Sequence, residues 1–130
     1  MEERKIITPP HLADLAKSWH FSPGLLVGDT LYIAGTIGVK EDGSIPGTPH
    51  DQYVRCFENM KAVLEEAGMS FKNVVDLISY HTDLQHSLAE FTEVRDEYIP
   101  EPPFPVYAAF GVDELASREL YIEIKATARM

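Results

Sequence analysis

Cysteine is nearly missing from this chain, with Cys56 the only one in 130 residues. No intrachain disulfide can form and no cage of several thiolates can hold a metal, a composition suited to a reducing compartment. Basic residues are scarce too: 11 Lys plus Arg stand against 21 Asp plus Glu, a formal charge of −10. That balance repels phosphate backbones and argues against nucleic acid as a partner. Long apolar runs are absent, since Leu25-Leu26-Val27 and Val106 to Val112 fall far short of the roughly 18 residues that cross a bilayer. The charged start Met1-Glu2-Glu3-Arg4-Lys5 is followed by no apolar signal region, so no membrane partner and a cytoplasmic location are expected. Neither G-x-G-x-x-G nor a P-loop occurs; nucleotide hydrolysis is unsupported and no cofactor is expected.

What is present suits one compact α+β domain over residues 1–130, with an irregular N-terminal arm over 1–19 around Pro9-Pro10. Leu25-Leu26-Val27, a Gly28-Asp29 turn and Leu31 to Ala34 predict a first strand pair. Asp42-Gly43, Gly47 and two prolines predict a turn and connecting loop between Val39 and His50. Tyr53, Phe57, Met60, Val63, Leu64 and Ala67 recur at helical spacing, with Asp51 in the first turn and Gly68 as a left-handed terminator. Val74 to Leu84 reads as a strand, and Leu88, Phe91, Val94, Arg95 and Tyr98 as a second helix stopped by Pro100, Pro102, Pro103 and Pro105. Val106 to Val112 and Leu120 to Ala128 complete the sheet, the latter alternating apolar and polar residues. Crossovers of this order put both helices on one face of a mixed sheet. The uncharged run Val106 to Val112 would then leave an apolar patch that calls for cover, and another subunit is the expected one.

Five histidines, His11, His20, His50, His81 and His86, invite a metal or acid–base reading. None sits in an H-x-x-x-H or H-x-E pattern, so no metal site is expected. His50 and His86, near helix starts, are expected to be solvated, and His81, in the central strand, to be hydrogen-bonded in the core or a cleft. Cys56 adjoins the core position Phe57 and has no partner base, which suits a structural thiol. Glu123 lies on the polar side of the last strand, where a carboxylate faces either solvent or a subunit cleft. Tyr107 is either a core tyrosine with its hydroxyl tied off or part of that cleft.

An ordered set of segments resembles the YjgF/RidA family over residues 20–128. It comprises Phe21-Ser22-Pro23-Gly24, Ile33-Ala34-Gly35, Gln52 with Asn59, Leu64-Glu65-Glu66-Ala67-Gly68, Thr82-Asp83-Leu84, Phe104-Pro105 and Tyr121-Ile122-Glu123-Ile124. The resemblance implies a chorismate-mutase-like (ferredoxin-like) protomer, assembled as a homotrimer around a central barrel with ligand clefts at subunit boundaries. It also implies hydrolysis of reactive enamines and imines, with Glu123 orienting or activating water, Ala109 marking backbone groups that hold substrate or water, and Gly35 allowing close backbone approach. The chain departs from the pattern at three positions: Tyr107 replaces the carboxylate-binding arginine, Phe21 a pocket tyrosine, and Ala34 a serine. One neutral hydroxyl does not reproduce a guanidinium fork. Arg95 or Arg118 is therefore the candidate replacement cation. Two functions follow, an enamine/imine deaminase-like hydrolase with an altered substrate, in which Glu123 and Tyr107 act on a small carboxylate bound by Phe21, Ala34, Gly35, Arg95 and Ala109, or a non-catalytic trimer that binds a metabolite or partner in the same clefts. RNA cleavage fits poorly with the charge.

Overall fold

The structure is a computed structural model that describes residues 3–130. Six strands form one mixed sheet: β1 (Arg4–Ile7), β2 (Gly24–Val27), β3 (Thr30–Ile33), β4 (Val74–His81), β5 (Val106–Gly111) and β6 (Ile122–Arg129). Across the sheet they run β1-β2-β3-β6-β4-β5, so the last strand in sequence joins the two halves. Only β4 and β5 pair in parallel; every other neighbour is antiparallel. The β2–β3 turn falls on Gly28, whose φ of 62° is a left-handed conformation that glycine adopts without a side-chain clash.

Helix α2 (Pro49–Glu66) starts where expected, with the Thr48 hydroxyl accepting the Asp51 N–H. It stops before Gly68, at φ 76°. Its apolar stripe of Tyr53, Cys56, Phe57, Met60, Val63 and Leu64 is buried, each large side chain contributing roughly 1.5–3 kcal/mol of transfer free energy. Helix α3 (Leu84–Tyr98) adds Phe91 and Val94. The Phe91 ring lies 5.5 Å from Tyr53 and 5.6 Å from Phe57, so the two long helices share the face that also buries Ile122, Ile124 and Ala126 of β6. The expected placement of both crossover helices is observed. No helix among the described residues is long and apolar enough to cross a membrane.

The N-terminal arm requires correction, because residues 4–19 are ordered rather than irregular. β1 pairs along β2, a 3₁₀ turn occupies Pro10–Leu12, and a third helix, α1, runs Ala13–Trp19. Met1 and Glu2 of the expected arm lie outside the described residues. Helix α1 ends on His20 at φ 55°, a left-handed cap made without glycine, and this turns the chain so that Phe21 N–H bonds Ala16 O.

On the face away from α2 and α3, β5 leaves Val106 69% and Phe110 50% exposed, with Tyr32 and Val75 exposed as well. The uncovered apolar surface anticipated from the Val106 to Val112 run is present in the protomer.

Candidate functional site

The chain between β3 and α2 is pinned by two buried amides of α2. Asn59 Nδ2 donates to Ile37 O and Val39 O at 2.8 Å each, while its Oδ1 accepts from Arg55 Nε at 3.1 Å and lies 2.9 Å from His11 Nε2. Gln52 Nε2 donates to Pro46 O and Glu119 O, and its Oε1 accepts from Tyr121 N. Fully satisfied buried amides of this kind fix irregular backbone as a helix or sheet ladder would. They hold the loop before α2 and the approach to β6 against one another, and between these segments a cavity opens.

That cavity has a volume of about 460 Å³. Leu15 and Trp19 of α1, Phe21, Ala34, Gly35 and Ile45 contribute to its wall, and Glu123 is the one ionisable group in its lining. Glu123 alternates with the core residues Ile122 and Ile124 along β6, so its side chain leaves the sheet on the face away from the long helices. There it reaches the backbone at Gly35: a β-carbon built on Gly35 would collide with Glu123 Oε2. Burial raises the Glu123 carboxyl above its ordinary range, and Lys125 partly opposes the shift. Lys125 itself is turned to Ile33 O, 2.8 Å from its Nζ. The result is a carboxyl group of raised proton affinity in a mostly apolar recess, an arrangement that can hold a water and exchange a proton with it.

Four of the proposed site residues, Phe21, Ala34, Gly35 and Glu123, therefore meet in one recess. The other three form a separate group. Tyr107 and Ala109 stand in register with Leu77 and Ser79 of β4, whose side chains are buried on the helix-covered face. Tyr107 Oη lies 2.7 Å from Ser79 Oγ. The Arg95 guanidinium of α3 covers the Tyr107 ring, 4.9 Å from its centroid, and is paired with Asp96 at 3.0 Å. Tyr107 and Glu123 thus project from opposite faces of the sheet within one protomer.

The sequence profile of a family described as Endoribonuclease L-PSP matches residues 12–130. The chain belongs to the Endoribonuclease L-PSP family. It is 34% identical to the RutC family protein YjgH of Escherichia coli over 131 aligned residues, covering 100% of this chain and 98% of that protein. A 2-iminobutanoate/2-iminopropanoate deaminase of Dermatophagoides farinae is 31% identical over 97 residues, covering 73% of this chain and 74% of that enzyme. Among solved structures, protein YJGH superposes with a TM-score of 0.91 at 32% identity, covering 98% of this chain and 97% of that one. The α+β protomer expected from the family resemblance is the observed fold.

Against this L-PSP background the remaining reactive side chains are readily placed. Cys56 is fully buried with Sγ 3.5 Å from Thr36 O, and burial pushes its thiol far above the ordinary range. His50 and His86 are solvated, beside Glu90 and Asp83 respectively. His81 is fully buried, its two ring nitrogens each 2.8 Å from a serine hydroxyl. No cluster of three or more His, Cys, Asp or Glu among the described residues is placed to hold a metal ion. Sequence reasoning missed Leu15 and Trp19 because it read their segment as an irregular arm, although Leu12, Leu15, Ala16 and Trp19 recur at helical spacing. It also left Ser79 unremarked, since nothing local to that residue signals Tyr107, 28 positions away.

Proposed function

We propose that this chain is a small-molecule hydrolase of the enamine/imine deaminase type, with an altered substrate. The observation that carries the reading is Glu123, a carboxyl raised by burial, seated against Gly35 in a recess of about 460 Å³. Water held by Glu123 attacks the C=N carbon and the carboxylate takes a proton from it; the nitrogen leaves as ammonia after protonation. Likeness to the Dermatophagoides farinae enzyme, whose name specifies 2-iminobutanoate and 2-iminopropanoate, supports this chemistry.

A site that includes both Tyr107 and Glu123 lies between subunits, because one protomer presents them on opposite sheet faces. Homotrimerisation supplies the second wall: the exposed strip of Val106 and Phe110 is the contact surface, and Tyr107, Ala109 and Arg95 of one subunit close the Glu123 recess of the next. Arg95 or Arg118 then takes the substrate carboxylate in place of the missing arginine.

Ammonia release from freshly generated 2-iminopropanoate and 2-aminomuconate, measured with wild type, Glu123→Ala and Tyr107→Arg, tests the proposal. Wild-type turnover lost in Glu123→Ala supports it; turnover present only in Tyr107→Arg, or retained in Glu123→Ala, removes it. The second reading, a non-catalytic trimer that binds a metabolite or partner, is favoured by the engagement of Tyr107 with Ser79 and of Arg95 with Asp96, which ties both to other side chains in the protomer. Saturable binding of a small carboxylate by calorimetry without turnover of either imine would select it.

A further inference from the structure

We propose that Tyr107, Ser79, His81 and Ser87 form a proton relay, in which the tautomer of buried His81 decides whether the Tyr107 hydroxyl donates or accepts a proton. Three contacts make the chain continuous: Tyr107 Oη to Ser79 Oγ at 2.7 Å, Ser79 Oγ to His81 Nε2 at 2.8 Å, and His81 Nδ1 to Ser87 Oγ at 2.8 Å. Every member is a group that can both give and receive a proton, which is the requirement for passing one along without separating charge. The imidazole is held in place, with the Phe91 ring edge-on 4.9 Å from it and no exposure to solvent. Burial lowers its basicity, which keeps the ring neutral, with one nitrogen donating and the other accepting.

Two consistent arrangements exist. In one, His81 Nε2–H donates to Ser79, Ser79 donates to Tyr107, and the Tyr107 O–H is free to donate away from the core. In the other, Tyr107 donates to Ser79, Ser79 to His81 Nε2, and His81 Nδ1–H to Ser87, which leaves the Tyr107 oxygen as an acceptor. Changing between them moves one proton the length of the chain.

Both ends are reachable. Tyr107 lies on edge strand β5 with Arg95 over its ring and Asp96 paired to that arginine. Ser87 lines a separate cavity of about 270 Å³ together with Tyr53, Asp83, His86 and Glu90. Water and titratable groups in that cavity can restore a proton to Ser87.

The catalytic use of the relay rests on the deaminase reading. As water adds to the C=N carbon and Glu123 of the neighbouring subunit takes its proton, Tyr107 Oη–H protonates the imine nitrogen. Ser79 reprotonates Tyr107, His81 Nε2–H reprotonates Ser79, Ser87 gives its proton to Nδ1, and cavity water reprotonates Ser87. One proton enters from the acidic cavity and one is delivered to nitrogen, so the steps balance. Tyr107 is the group that touches substrate; Ser79, His81 and Ser87 act through it.

The test has two arms, one independent of turnover. In protein labelled with ¹⁵N-histidine, the wild-type His81 ring nitrogens are expected to report a mixture of both neutral tautomers. Tyr107→Phe, which keeps the ring under Arg95, leaves Ser79 free to donate to Nε2 and shifts the ring to the Nδ1–H form. Ring nitrogen signals unchanged by Tyr107→Phe overturn the relay, whether or not the protein turns over imines. With wild-type ammonia release in hand, Ser79→Ala is expected to lower it on the order of a hundredfold and to remove a solvent deuterium isotope effect. Full activity with an unchanged isotope effect in Ser79→Ala overturns the catalytic role. Failure of wild type to turn over any imine counts against the deaminase reading alone, and the spectroscopic arm then decides the relay.

Discussion

Gly35 and Glu123 are packed so closely that the glycine's missing side chain is the space the carboxylate occupies. The obstacle to a larger residue is the far end of a flexible side chain rather than backbone, so the chain can accept Gly35→Ala by swinging Glu123 away. The substitution is expected to shift stability by less than about 1 kcal/mol while lowering ammonia release at least tenfold, as is expected of Glu123→Ala. Thermal melting beside the turnover assay checks the pair; normal activity in Gly35→Ala would mean that the carboxylate has no fixed role.

Burial raises the Glu123 carboxyl, so its ionised form is less favoured in the folded chain than in the unfolded one. The stability this residue contributes is therefore complete below its ordinary value of 4.5 and is lost as pH rises through the elevated value. Glu123→Gln, neutral throughout, is expected to be more stable than wild type at neutral pH, with the difference shrinking as pH falls through the raised value and gone below 4.5. Urea unfolding at a series of pH values measures it. A wild type that is the more stable protein at pH 7 would contradict the sign.

Asn59 satisfies two carbonyls of the pocket loop and accepts from Arg55. Asn59→Leu fills similar volume but takes the Nδ2 donor from Ile37 O and leaves Val39 O with Arg55 Nε alone, at a cost of roughly 1–3 kcal/mol. The same variant is expected to expose the segment around Val39 to limited proteolysis. Wild-type denaturation midpoints and cleavage patterns would show that the loop is held by other means.

Cys56 is enclosed and its thiol is held protonated. A disulfide reagent is expected to label it at the rate of opening or unfolding, with no fast phase in the native protein. Rapid stoichiometric labelling at neutral pH would place the thiol elsewhere.

Phe110 stacks on Tyr80 in the exposed strip of β5, ring centroids 6.0 Å apart. If that strip is the trimer contact, sedimentation equilibrium at micromolar concentration gives a trimer for wild type and a monomer for Phe110→Arg. A monomeric wild type would remove the inter-subunit site.

The legible parts of the fold were those with local chemistry. The α2 stripe from Tyr53 to Leu64 and the Gly68 stop, the Gly28 turn and the alternation of Ile122, Ile124 and Ala126 each carry their own signal within a few residues. Helix α1 carries its own spacing signal in Leu12, Leu15, Ala16 and Trp19, but it is masked locally, because Pro9-Pro10 reads as loop and the helix ends on His20 rather than glycine. The division of the site residues into two groups was hidden for a different reason. Which face of β5 carries Tyr107 depends on its register with Leu77, a parallel pairing set by the whole α3 crossover. Alternation within β5 cannot orient the strand when all its residues are uncharged. The tie between Tyr107 and Ser79 follows from that same register.

The position of β6 has a kinetic consequence. When residues up to Gly111 have been synthesised, β1-β2-β3 and β4-β5 are two half-sheets with no hydrogen bonds between them, because each borders on the place that β6 will occupy. Neither half is complete until the segment Ile122–Arg129 slides between them, and that strand pairs with residues as far back as Thr30. The two half-sheets thus cannot join until β6 has been made, and even a short deletion within β6 would split the sheet down the middle rather than fray one edge.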